Sequence, residues 1–348
     1  MVKPKLRFKE FNEEYKKYKI GNTLKVKSGK DKKLIECMDG RYPILGTGGK
    51  IGTTNNFLYD KPSVLIGRKG TINKPQYMTT PFWTVDTLFY TDIKKGFNTK
   101  YIFYAFQNIN WKKYDESTGV PSLSSKTIEE ISYYIPNKNE QDKVSAFFTL
   151  LDKKIELQKR KIDALKIYKK WLSKKLFSFN SIYEKKLGDL CSITTGKLDA
   201  NAMSENGKYR FFTCAKEYYY INTYAFDTEA LLISGNGAYV GYINYYKGKF
   251  NAYQRTYVLD KFNEDIFYIK YFLDEFLPLR IFSEKKDGNT PYIVLSTLSN
   301  MTIKFPDFNT QKIIVNILSK LDKKINLSEE RLKLLSRFKN FLLQQMFI

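Results

Sequence analysis

The chain has 348 residues, 43% of them hydrophobic and 16% aromatic, enough to build more than one core. Its 59 Lys and Arg outweigh 36 Asp and Glu, and the resulting +23 points to a polyanionic partner, nucleic acid first. There is no histidine, and the three cysteines (Cys37, Cys191, Cys214) form no CxxC pair; Ser-His-Asp and Cys-His catalysis and a zinc site within this chain are excluded.

The opening residues, MVKPKLRFKEF, lack the apolar core of a signal peptide, and no stretch approaches the roughly 20 apolar residues of a membrane span. A soluble, cytoplasmic protein without membrane association is expected. Residues 17–134 follow, rich in β-branched and aromatic side chains and broken by turns such as GTGGKIGTTNN (46–56) and LIGRKGTINKP (65–75). Short strands with one helix near 99–112 are predicted, forming a mixed α/β globule.

Pro136 closes that globule, and 141–177 reads as one long helix. Val144, Phe148, Leu151, Ile155, Ile162, Leu165, Leu172 and Leu176 recur at alternating spacings of four and three, the seam of a coiled coil, with polar breaks at Gln158 and Lys169. A second globule is predicted over 184–304, with turns such as KKDGNTP (285–291) and a helix near 265–277. Pro306 then precedes a second long helix whose seam is Ile314, Leu318, Leu321, Ile325, Leu332, Leu335, Leu342 and Met346, broken at Ser328 and Lys339.

The two helical segments are copies. Residues 135–177 and 305–347 align without a gap at a separation of 170, with 13 of 43 identical, most clearly LDKKIEL (151–157) against LDKKINL (321–327). Both polar breaks fall at the same offset. The globules align more faintly: IGNTLKVKSGK (20–30) with LGDLCSITTGK (187–197), VLIGRKG (64–70) with LLISGNG (231–237), and GVPSLSS (119–125) with the segment around TPYIVLS (290–296). The expected organisation is a globule (1–136), a spacer helix (137–180), a second globule (181–306) and a second spacer helix (307–348). The fold class is α+β, with the two helices pairing antiparallel about a pseudo-two-fold. Helices of about 37 residues would span roughly 55 Å.

With SGK or TGK early in each globule and a proline-led LDKKI helix closing it, nearly the whole chain resembles the specificity (S) subunit of type I restriction–modification enzymes. The resemblance implies two target-recognition domains, each reading half of an asymmetric, interrupted double-stranded DNA target. It also implies helices that space them and dock two methyltransferase (modification) subunits. Those partners would carry S-adenosylmethionine and methylate adenine, no cofactor being expected on this chain, and restriction/translocase subunits would join them in restricting systems. The sequence agrees in what it lacks: no Asn/Asp-Pro-Pro-aromatic motif and no GxxxxGK[ST] phosphate loop.

Loop residues that combine small backbones with basic or amide side chains are the candidate DNA contacts, Lys for phosphate and Arg, Asn or Gln for base edges. In the first globule these are Lys27, Ser28, Lys30, Lys50, Arg68 and Lys69; in the second, Lys197, Lys216, Asn236, Gln254, Arg255, Lys285, Lys286 and Asn289. Arg68 and Arg255 lead, because only nine of the 59 basic residues are Arg and its planar fork suits guanine. Gly70 and Gly237 align and are assigned to turn geometry. Two competitors stay open: a magnesium-dependent nuclease around Asp115, Glu116 and Lys126 or a fused restriction enzyme, and a coiled-coil adaptor without a DNA role.

Overall fold

The computed structural model describes residues 2–179, 181–284 and 292–348. The chain divides into two compact units, Met1–Arg160 with Glu329–Ile348, and Lys161–Ser328, so that each long helix contributes to both.

In the first unit, strands Lys16–Lys19 and Ser132–Ile135 pair antiparallel, Lys16 opposite Ile135, and clamp the start of the globule to its end. Between them lies an antiparallel four-stranded sheet in the order Leu24–Lys27, Leu88–Ile93, Ser63–Gly67, Gln76–Met78. Every residue of Ser63–Gly67 is buried, as its unbroken apolar run demands of a central strand. A three-stranded sheet (Gly49–Thr54, Tyr42–Gly46, Trp83–Thr84) flanks it. Helix Thr99–Asn108 starts where the Asn98 carboxamide accepts from the backbone of Lys100 and Tyr101. Its Tyr101, Ile102, Tyr104 and Phe106 share one core with Val144, Phe148, Leu151, Leu342 and Met346 of the long helices.

The second unit repeats this plan. Strands Tyr183–Lys186 and Thr302–Phe305 clamp its globule, Tyr183 opposite Phe305. They enclose a six-stranded sheet in the order Ser192–Thr195, Thr256–Asp260, Phe226–Ser234, Ile243–Ala252, Tyr209–Phe212, Tyr219–Ile221. Helix Ile266–Glu284 is longer than the expected 265–277 because it continues through Pro278. Its Tyr268, Phe272 and Leu277 pack with Phe177, Ile314 and Leu318.

The long helices run Lys138–Leu176 and Phe308–Met346. Each opens on the same device. Asn137 accepts from the Glu140 amide (2.9 Å) and Asp307 from the Thr310 amide (3.0 Å), satisfying otherwise orphaned first-turn donors. Buried Gln141 and Gln311 then donate back to the carbonyls of Pro136 (3.0 Å) and Pro306 (3.1 Å).

The helices pair antiparallel through the predicted seam. Val144, Phe148, Leu151, Ile162, Ile314, Leu318, Ile325 and Leu342 are buried, while Ile155, Leu165, Leu172, Leu321, Leu332 and Leu335 are half-buried. The lysine breaks are satisfied across the pair. In the first unit Lys339 meets Asp152 at 2.6 Å and Tyr104 donates to the same carboxylate at 2.8 Å. In the second, Lys169 meets Asp322 at 2.5 Å and Tyr271 donates at 2.9 Å. Each ammonium also lies over its tyrosine ring, at 5.5 Å and 5.4 Å. This explains the Asp of LDKKI: it is the counter-charge for a seam lysine on the opposite helix, and a globule tyrosine completes the site.

Candidate nucleic-acid interface

In both units the SGK or TGK loop is held by close backbone approach. A Cβ at Gly29 would stand 2.1 Å from the Val85 carbonyl oxygen, and one at Gly196 1.9 Å from that of Ala252, so only glycine fits. Ser28, Lys30 and Lys197 project from these loops, exposed.

The turn after the buried central strand closes against two neighbours. The Arg68 amide donates to the Thr87 carbonyl at 2.8 Å, and Leu123 donates to the Arg68 carbonyl at 2.9 Å. In the second unit Gly235 donates to Arg255 and Ile293 to Gly235, each at 2.8 Å. Both turns finish on a left-handed glycine, Gly70 (φ 85°) and Gly237 (φ 79°). In each unit the SGK or TGK loop, this turn and the loop leading into the next central strand therefore meet at one end of the sheet.

Arg68 and Lys69 sit on that turn; the Arg68 guanidinium donates to the Asp86 carbonyl (3.3 Å) and lies 5.9 Å from the Phe89 ring centroid. Asn236, Gln254 and Arg255 converge on a cleft of about 150 Å3 in the second unit, whose walls include Thr195 and Tyr292. The Gln254 amide is oriented by donation to Asp199 at 2.9 Å. Lys216 lies over Tyr239 at 5.2 Å, just after Gly237, and so reaches the same turn. Lys50 is exposed on the strand Gly49–Thr54. Lys27 differs: it faces Asp92 at 2.7 Å and the Tyr59 ring at 5.6 Å, and its charge is engaged within the fold. Hydrogen bonds from Lys27 and then Tyr59 hold the Asp92 carboxyl below its ordinary range. Lys285, Lys286 and Asn289 lie outside the described residues, as does the whole KKDGNTP turn (285–291).

Sequence reasoning passed over Tyr292 and Arg210. The Arg210 guanidinium is sandwiched between the rings of Tyr218 (4.2 Å) and Tyr246 (4.6 Å), beside the exposed Tyr219 and Tyr220. Its scarcity as an arginine within a tyrosine-rich stretch was the available signal. Asp115, by contrast, shapes a loop: its carboxylate accepts from the amides of Ser117 (3.0 Å) and Ser122 (2.9 Å), and Glu116 accepts from Thr127. Among the described residues no three His, Cys, Asp or Glu side chains cluster to hold a metal, and no helix is long and apolar enough to cross a membrane.

Outside the seam, the long helices expose apolar side chains in matching places. Leu157, Tyr168 and Trp171 on the first helix correspond to Leu327, Phe338 and Phe341 on the second, and all six are at least 48% exposed. Leu150 and Leu334 extend the same rows. In each unit an apolar strip thus lies beside a seam that is already filled.

The type I restriction modification DNA specificity domain family matches twice, over residues 12–166 and 181–337. The chain is 37% identical over 162 residues to the EcoDI specificity subunit of Escherichia coli, a match covering 45% of this chain and 36% of that one. It is 22% identical over 338 residues to the MjaIX specificity subunit of Methanocaldococcus jannaschii, covering 83% of this chain and 77% of the relative. The crystal structure of the type I restriction–modification S subunit from M. genitalium superposes with a TM-score of 0.71 at 18% identity, covering 100% of this chain and 99% of that one. A chain from a study of assembly and conformational transition in the type I system superposes with a TM-score of 0.59 at 12% identity, covering 95% and 97%. With its fold and both halves accounted for by the same domain, the chain belongs to the type I restriction–modification DNA specificity family and carries that domain twice.

Proposed function

We propose that this chain is the non-catalytic DNA specificity subunit of a type I restriction–modification complex. Each unit reads one half of an asymmetric, bipartite duplex target, and the antiparallel helix pair sets the length of the unread spacer. The observation that carries this is the duplication itself: one domain, occurring twice, ends each time in a helix that pairs with its copy. Different loops on a repeated frame suit different half-sites, and the +23 charge suits a phosphate backbone.

The matched apolar strips are the proposed seats for two modification subunits. A repeated strip presents like surfaces to like partners, and burying Leu157, Phe338 and Phe341 in one and Leu327, Tyr168 and Trp171 in the other would remove apolar area from water. S-adenosylmethionine and the methyl transfer belong to those partners; restriction/translocase subunits would join through them.

A heptad inserted in both helices keeps the seam and its Lys–Asp pairs in register while adding about 10 Å, roughly three base pairs of duplex. Methylation mapping of the assembled complex should then show a target with both half-sites intact and a longer spacer. An unchanged spacer contradicts the proposal, and so does a complex with no preference for any sequence.

A further inference from the structure

The internal duplication supplies its own comparison. In the first unit Leu65 and Ile66 pair with Tyr90 and Phe89; in the second Leu232 and Ile233 pair with Val258 and Tyr257. That register places Arg68 opposite Gly235 in the alignment of the two units, Lys69 opposite Asn236, Asp86 opposite Gln254 and Thr87 opposite Arg255. The bridges Lys69–Ser122 and Asn236–Tyr292 add Ser122 opposite Tyr292. The backbone is the same at these places, down to the donation from 68 to 87 and from 235 to 255, both at 2.8 Å. The side chains differ at every one of them. Lys30 and Lys197, on the adjacent loops, are the same in both.

We propose that these equivalent positions form one reading head, used twice, in which the constant lysines bind phosphate and the variable side chains select bases. This rests on the specificity-subunit assignment above and goes beyond it by naming the selecting atoms. The second head carries the Gln254 and Asn236 amides and the Arg255 fork around its cleft. An amide pairs bidentately with adenine N6 and N7, and Arg with guanine O6 and N7. Donation to Asp199 occupies one Gln254 N–H and leaves its carbonyl and second N–H to face a base.

The first head has moved its arginine to position 68 and carries a carboxylate, Asp86. That group is exposed and has no hydrogen-bond or ion-pair partner among the described residues. A bare carboxylate repels phosphate, and the base-edge donor that suits it in the major groove is the cytosine N4 amino group. Arg68 and Asp86 together therefore select a G·C pair in the first half-site, while Gln254, Asn236 and Arg255 select A·T and G·C pairs in the second.

The test uses the whole complex with its modification subunits, scoring binding to the mapped target and to each single-base variant of it. Asp86→Ala should relax discrimination at one G·C position of one half-site by roughly ten- to a hundredfold. Gln254→Ala and Arg255→Ala should each relax one position of the other half-site by a similar factor. Lys30→Ala and Lys197→Ala should weaken binding to all sequences equally and lower its salt dependence. Variants at 86, 254 and 255 that weaken all sequences uniformly, or that keep every preference within twofold, overturn the reading head. Absence of any sequence preference in the unaltered complex would instead overturn the specificity-subunit assignment, so the two failures are distinguishable. Each of these side chains is exposed, and an unchanged melting temperature verifies that the variants fold.

Discussion

The Lys169–Asp322–Tyr271 cluster is the place where helix register is most open to measurement. The two charged side chains are 25% and 32% exposed, neither free in water nor deeply buried. Asp322→Ala removes a charge-assisted hydrogen bond to Lys169 and a second from Tyr271, and it leaves an ammonium unpaired in an apolar seam. Hydrogen bonds to charged groups contribute about 1.5–3 kcal/mol, so a loss of about 2–3 kcal/mol is expected. Lys169→Met removes the charge but fills the seam, and Asp322 keeps its bond from Tyr271; a loss of about 1 kcal/mol is expected. Placing both changes in one chain removes the pair together. The double variant should then be more stable than the sum of the singles implies, by a coupling of about 1–2 kcal/mol, the range of partly buried charge pairs. Urea denaturation followed by helical circular dichroism, with hydrogen exchange of amides 161–176 to isolate this unit, measures the cycle. A coupling indistinguishable from zero would show that the contact does not contribute to helix register. The repeat adds a control: Asp152→Ala should have a like effect in the first unit, through Lys339 and Tyr104.

Gly29→Ala places a methyl group 2.1 Å from the Val85 carbonyl oxygen and should destabilise the first unit by about 1–3 kcal/mol, read as a lowered melting temperature. Replacing Tyr168 and Trp171 by Ser should abolish assembly with one modification subunit in size-exclusion chromatography while leaving the isolated chain folded, since both rings are about half exposed. Asp92 has its folded pKa depressed by Lys27 and Tyr59, so its stabilisation is present above the unfolded value of about 4 and is lost as pH falls through the lower folded value. Asp92→Asn should therefore lower stability at pH 7 and flatten the acid limb of the profile, its difference from the unaltered chain shrinking as pH falls below about 4. Burial pushes the Cys191 thiol up to about 12, and it should be the slowest of the three cysteines to react with iodoacetamide at pH 8.

The long helices were legible because their signals are local and periodic: a proline, a heptad seam and two polar breaks, one of them a lysine, repeated at one offset. What those lysines meet was not. Asp152 lies in plain sight in LDKKI, but its partner is 187 residues away and its tyrosine 48 residues before it. The proposed reading head shows the same division. SGK and TGK mark their loops by a short glycine pattern, whereas Asn236, Gln254 and Tyr292 are brought together by strand pairing, which no local pattern encodes. Lys27 looked like its neighbours until the sheet placed Asp92 opposite Lys25 on the adjacent strand, with its carboxylate against the Lys27 ammonium. Helix Ile266–Glu284 outran its expected end because packing of Leu277 and Ile281 in the core outweighs the one backbone bond that Pro278 removes.

The division of labour between the two units is the central claim, and exchanging residues 20–134 for the matching segment of a relative with a different target tests it most directly. Sequencing of methylated adenines after the exchange should show one half-site replaced, with the other half-site and the spacer unchanged. Alteration of both half-sites would contradict it.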